Sequence, residues 1–195
     1  MNIWYTVVWD TARASGLTAY LLGTLAVIVG LTLSLKWQSP RWWPRLINNE
    51  MHNFLSLLSV IFVVIHVLSI WIDPFTRFGW AAIFIPFVSS YRTLGMALGI
   101  VGLYLGLAVS ASVWLRPRIG YLWWRRIHYL TLLVYVFILI HVLITGTDAH
   151  ARWVVALYVS GTSIVGILLL VRIVTALRAR NQIMPSAPVM KQGRG

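Results

Sequence analysis

Residues 51–72 read MHNFLSLLSVIFVVIHVLSIWI, and residues 127–146 read IHYLTLLVYVFILIHVLITG. Each run is apolar over about 20 residues, the length that crosses roughly 30 Å of hydrocarbon as a helix. Each also carries two histidines, His52 and His66 in the first, His128 and His141 in the second. Hydrocarbon penalises ionisable side chains, so an intramembrane histidine is a functional candidate by default. These two runs set both the fold class and the place to look for chemistry.

Three further runs have spanning length: 15–35 (SGLTAYLLGTLAVIVGLTLSL), 93–115 and 153–176. In chain order the five are spans A to E, and the fold expected is an all-α integral membrane bundle of five transmembrane helices. Short connections make consecutive spans antiparallel neighbours and leave no room for a folded soluble domain. Residues 1–14 then form an outer N-terminal segment and 15–177 the transmembrane domain. Residues 178–195 form a polar, Pro-containing cytoplasmic tail expected to be disordered. The apolar piece 80–88, interrupted by Pro86, is too short to cross and reads as interfacial or re-entrant. Span A is longer than the apolar core of a signal peptide, and only Arg13 precedes it, beside Asp10, so it is expected to be retained.

Composition agrees. Of 195 residues, 59% are hydrophobic and 10% charged, where soluble domains carry about a quarter charged residues. The absence of Cys excludes disulfides, thiolate metal sites, iron–sulfur clusters and covalently attached haem. A net charge of +12 is high enough to suggest nucleic acid, but its distribution assigns it to a membrane. Twelve of the 16 Lys and Arg fall on one side: Lys36, Arg41 and Arg45 between A and B; Arg116, Arg118, Arg125 and Arg126 between C and D; Arg172, Arg178, Arg180, Lys191 and Arg194 at the end. Arg13, Arg77, Arg92 and Arg152 fall on the other. The positive-inside rule puts the N-terminus outside and the C-terminus in the cytoplasm, in an inner (plasma) membrane. The pairs Trp42/Trp43 and Trp123/Trp124 suit the interfacial belt.

Spans B and D run in the same direction, so His52 and His128 share the cytoplasmic side while His66 and His141 share the outer side. The spacings, 14 and 13 residues, correspond to about 21 and 20 Å of helix. Four imidazoles can thus make two level pairs, one above the other, an arrangement the spacing allows without demanding it. Facing neutral imidazoles suit the axial positions of haem iron, and without Cys the haem is b-type. Zinc fits worse, because each level offers two His and no nearby carboxylate. A proton relay or ordinary interhelical hydrogen bonds are the rival readings. One difficulty is azimuthal: at about 100° per residue, His66 returns to within about 40° of His52, whereas His141 lies about 140° from His128. Helix curvature, local unwinding or different ring azimuths must absorb this. His150, in the polar D–E loop, reads as a solvated residue.

The paired histidines resemble those of the ferric reductase-like transmembrane family. That family includes the haem-binding membrane subunit of the bacterial methionine sulfoxide reductase system and the haem domain of NADPH oxidases. RASGL (13–17), PFVSSYR (86–92) and GYLWWRRIHY (120–129) carry further likeness. The resemblance implies two b-type haems between helices B and D, with His52, His66, His128 and His141 as iron ligands. Many family members have six spans, and some have a fused flavin and nicotinamide domain. Here five spans and a short tail place hydride chemistry in another polypeptide.

Haem propionates are anionic and pair well with guanidinium groups. Arg13 and Arg92 stand at the outer level, and Arg125 and Arg126 at the inner, as candidate partners; interfacial anchoring is the rival role. Gly95, Gly99, Gly102 and Gly106 share a band of span C about 60° wide, where a neighbouring helix or a planar ring could approach. Phe54, Tyr129, Tyr135 and Phe137 are candidate porphyrin contacts, each also explicable as ordinary core or lipid-facing surface.

The function expected is transmembrane electron transfer by two b haems. The donor would be a cytoplasmic flavin or NAD(P)H reductase carrying its own flavin. The acceptor at the outer face would be ferric iron, a quinone, oxygen or a periplasmic oxidoreductase. The chain is then an oxidoreductase component without its own flavin domain. A small proton or metal-ion transporter using the same histidines is the alternative, although the spans hold no intramembrane carboxylate and no inverted repeat. A haem-free scaffolding subunit is a third reading.

Overall fold

The apolar runs fold as long helices because a backbone in hydrocarbon must satisfy its own N–H and C=O groups. The computed structural model describes residues 3–37 and 44–183. Its helices are α1 (Ile3–Leu35), α2 (Arg45–Ile72), α3 (Trp80–Phe84), α4 (Thr93–His128), α5 (Leu130–Thr145) and α6 (Arg152–Ile183). Four helical stretches are long and apolar enough to cross a membrane: Ile3–Leu35, Arg45–Ile72, Thr93–Thr145 and Arg152–Asn181. These are the helices of a multi-pass membrane protein. Its outward surface fits that reading, with large apolar side chains such as Trp114, Leu122, Phe54 and Ile167 exposed along the helices. A monomer in water does not present apolar area on that scale.

The third stretch is not one rod. Gly120 interrupts α4 at φ 79°, ψ 162°, shortly after Pro117, which removes a helical hydrogen bond. The chain folds back there, and residues 121–128 run on through Tyr129 into α5. The side chains that meet across this hairpin fix its register: Gly95 faces Thr145, Gly99 faces His141, Gly102 faces Ile138 and Gly106 faces Val134. Every pair centres on Gly120. The glycine band of span C therefore receives α5, whose side chains cover it.

The hairpin of α1 and α2 is equally regular. Gly16 faces His66, Gly23 faces Ser59 and Gly30 faces His52. On its other side α1 packs against α6 and, less extensively, α5. Tyr20, Val154 and Tyr158 form one buried cluster, and Val27, Leu31, Val165 and Leu168 another. Tyr20 stacks with Tyr135 across 6.2 Å, and the Tyr135 hydroxyl also reaches Thr162. The short helix α3 bridges α2 and α4, in the stretch expected to be interfacial.

The helices extend past the apolar runs. α1 begins at Ile3, so most of the expected outer segment is helical. α6 continues to Ile183, taking in residues 178–183 that composition assigns to the tail; Ala, Arg and Gln there are good helix formers. The rest of that tail, with Lys191 and Arg194, lies outside the described residues, as do Arg41, Trp42 and Trp43.

Replacing Gly120 by Ala tests the hairpin. No side chain or backbone atom blocks an added Cβ, so the penalty is purely conformational, about 1–3 kcal/mol for this Gly-only region. The Gly120→Ala protein should unfold at a lower temperature than wild type in detergent, and an unchanged midpoint would contradict the turn.

Candidate metal centre

The two hairpins stand side by side with α2 and α5 turned toward one another at the histidine levels. On α2 only Asn48 and Ser69 are buried, and on α5 no side chain is. Each of these helices packs closely on its own hairpin partner, while α2 and α5 have no extensive packing against each other among the described residues.

His52 and His128 meet in this region, their ring centroids 6.0 Å apart and their planes at 72°. Two imidazoles binding one metal from opposite sides, each nitrogen about 2 Å from it, place their centroids roughly 6 Å apart. The observed separation fits that geometry. Of the other two, His66 lies beside Gly16 of α1 and His141 beside Gly99 of α4.

Three of the four rings are held by a hydrogen bond to the neighbouring helix. His66 Nδ1 lies 2.8 Å from the carbonyl of Ala12, His52 Nδ1 2.9 Å from that of Ala26, and His141 Nδ1 2.8 Å from that of Gly95. A carbonyl only accepts, so Nδ1 is the donor in each case. The lone pair is thereby left on Nε2, the arrangement of a metal-ligating histidine. His128 differs: its Nδ1 is buried without a partner, and Trp124 stacks on the ring at 5.2 Å.

The azimuthal difficulty of the 13-residue spacing has a local answer. Tyr129, immediately after His128, has φ −65° and ψ −19°, close to 3₁₀ geometry. Its carbonyl accepts from Leu132, three residues on. The tighter turn advances the chain by about 120° per residue instead of 100° and recovers part of the deficit.

The arginines occupy both ends. Arg13 donates from Nε and Nη2 to the two oxygens of Asp148 at 2.8 and 2.5 Å, and from Nη1 to Asp10 at 3.3 Å. It ties the N-terminal part of α1 to the α5–α6 loop. Arg92, a left-handed residue at the start of α4, donates to the carbonyl of Ile144. At the inner end Arg125 and Arg172 both donate to the Tyr129 hydroxyl, at 2.8 and 3.1 Å. Arg126 lies over Trp123, and Arg116 over Trp124. Phe54 is exposed on α2, Phe137 lies near Gly102, and Tyr135 belongs to the tyrosine cluster. His150 is exposed in its loop.

Among the described residues no three His, Asp or Glu side chains converge, so a tetrahedral zinc-type ligand set is not assembled. The chemistry on offer is one facing imidazole pair, His52 and His128, with two further anchored imidazoles, His66 and His141. No family model, curated protein or solved structure matches the chain.

What sequence reading missed are the groups that hold the rings, namely the carbonyls of Ala12, Ala26 and Gly95 and the glycines beside them. A signal existed, since Gly16 and Gly30 repeat the 14-residue spacing of His52 and His66. The hydrogen bonds fix the tautomers in a measurable way. In ¹⁵N-histidine-labelled protein, His52, His66 and His141 should show protonated Nδ1 and unprotonated Nε2, and the opposite tautomer at any of them would contradict its bond.

Proposed function

We propose that this chain is a two-haem b membrane electron-transfer subunit, with one haem between His52 and His128 and the other between His66 and His141. The observation that carries this reading is the inner pair: two imidazoles from unpacked neighbouring helices, 6.0 Å apart, one with its Nδ1 engaged and its Nε2 free. Two facing imidazoles, one of them tautomer-fixed, are a donor set suited to a low-spin haem iron. When bound, haem would supply reversible one-electron transfer at two depths of the bilayer.

The chain's own residues do the rest. α2 presents His52 and His66, the end of α4 presents His128, and α5 presents His141. The carbonyls of Ala12, Ala26 and Gly95 orient three of them and raise their basicity. The exposed apolar faces of α2, α4 and α5 keep water from this region once lipid surrounds them. Arg13 and Arg92 at one end, and Arg125 and Arg126 at the other, each retain guanidinium donors beyond those their present partners use. They are the groups we assign to propionate pairing.

The excess of basic residues puts the Arg116–Arg126 end in the cytoplasm and the Arg13–Asp148 end outside. The basic end suits an acidic donor protein carrying flavin. The outer acceptor is ferric iron, a quinone, oxygen or a periplasmic reductase. No general acid, base or nucleophile is required of this polypeptide.

Protein purified after haem-replete expression should give a low-spin b-type spectrum on reduction, with close to two haems per chain. His66→Ala and His141→Ala should each remove the outer centre and leave the inner, and His52→Ala and His128→Ala the reverse. Absence of haem from wild type, or variants without spectral effect, would overturn the assignment.

A further inference from the structure

The three anchored imidazoles rest on one repeated local pattern. It occurs as Ala12-Arg13-Ala14-Ser15-Gly16, as Ala26-Val27-Ile28-Val29-Gly30 and as Gly95-Met96-Ala97-Leu98-Gly99. In each, the carbonyl of the first residue takes the imidazole Nδ1–H, and the fifth residue is glycine. Helix geometry explains the pairing. A Cβ tilts toward the helix N-terminus, so the side chain at position i+4 covers the carbonyl at i. Glycine at i+4 leaves that carbonyl's second lone pair open to a donor from outside the helix.

The space is tight in a graded way. A Cβ at Gly99 would lie 2.5 Å from His141 Nδ1, at Gly16 2.9 Å from His66 Nδ1, and at Gly30 3.2 Å from His52 Cε1. At Gly106 the nearest atom is Val134 Cγ1 at 3.8 Å, and at Gly166 none lies within 4 Å.

The fourth imidazole lacks this seat. Counted on past Tyr129, the register that pairs position 99 with 141 pairs position 112 with 128, and Ser112 stands there, with Ala108 one turn earlier. Ser112 is buried and its hydroxyl bonds to the carbonyl of Val109 at 2.6 Å. Position 112 thus carries a side chain where the other three places have glycine, and His128 Nδ1 is buried without a hydrogen-bond partner.

We propose that Gly16, Gly30 and Gly99 are positioning residues for the metal-ligating imidazoles, and that Ser112 in the fourth place leaves His128 as the exchangeable ligand of the inner centre. The proposal rests on the two-haem reading and adds an inequality to it. The outer iron has two seated ligands; the inner has one seated and one free to leave. An added small ligand enters at the inner iron, on the His128 side.

The test uses haem-replete full-length protein in detergent, with two readouts: the low-spin ferric resonances of each centre, and carbon monoxide binding after reduction. Gly99→Ala and Gly16→Ala should shift or abolish the outer resonance and spare the inner, with Gly99→Ala the stronger. Gly30→Ala should shift only the inner one. Alanine is the better helix former, so these losses would not reflect a weakened helix. Gly106→Ala and Gly166→Ala should match wild type. Carbon monoxide should bind about one of the two irons, and Ser112→Gly, which opens the fourth seat, should reduce that binding several-fold. Wild-type resonances in Gly99→Ala and Gly16→Ala, or carbon monoxide binding equally at both irons, would overturn the proposal while leaving two haems in place. Wild type without haem would instead remove the reading beneath it.

Discussion

Everything at the candidate centre depends on the register of two antiparallel hairpins. In α1/α2 the pairs 16/66, 23/59 and 30/52 keep step over the whole contact, and in α4/α5 the pairs 95/145 to 106/134 do the same. Register sets the height of each histidine, and one turn of slip would move an imidazole by about 5.4 Å. Glycines hold the register by letting the helices approach closely. At Gly16, Gly30 and Gly99 the approaching group is an imidazole, so the contacts that align the hairpins also place the ligands.

The division of labour between helices follows. α1 is the most buried rod, enclosed by α2, α5 and α6, and it offers two carbonyls to α2. α4 offers one to α5. α2 and α5 spend one face on their partners and keep their other faces free of close helix packing. α2 buries two side chains and α5 none, and these sparsely buried helices carry three of the four histidines. Arg13 with Asp148, and Arg92 with the carbonyl of Ile144, close the outer end by joining α1 and α4 to the last turn of α5 and its following loop.

Much of this was legible in the chain. Spanning length and sparse charge gave the membrane helices, and depth alone brought His52 together with His128, whose rings meet. The return between 93–115 and 127–146 was legible from the basic break RPRIGYLWWRR; its confinement to the backbone torsion of Gly120, with helix on both sides, was not, because one torsion leaves little trace in hydropathy. The mismatch of the 13-residue spacing was legible; its relief at Tyr129 was not, since a 3₁₀ turn depends on packing. The glycine seats combine two sequence-distant helices, so the matching intervals 16–30 and 52–66 acquire meaning only once the hairpin is formed. Arg13 illustrates the same limit: its partner Asp148 lies 135 residues away.

The central claim is that these imidazoles face one another across a ligand rather than across simple contact. An experimental structure of the haem-replete protein in a lipid nanodisc tests it most directly. The account predicts two flat densities stacked between α2 and α5, one bridged by Nε2 of His52 and His128, the other by Nε2 of His66 and His141. Helices α2 and α5 closed directly on each other, with those nitrogens bonded to protein groups and no density between them, would contradict it.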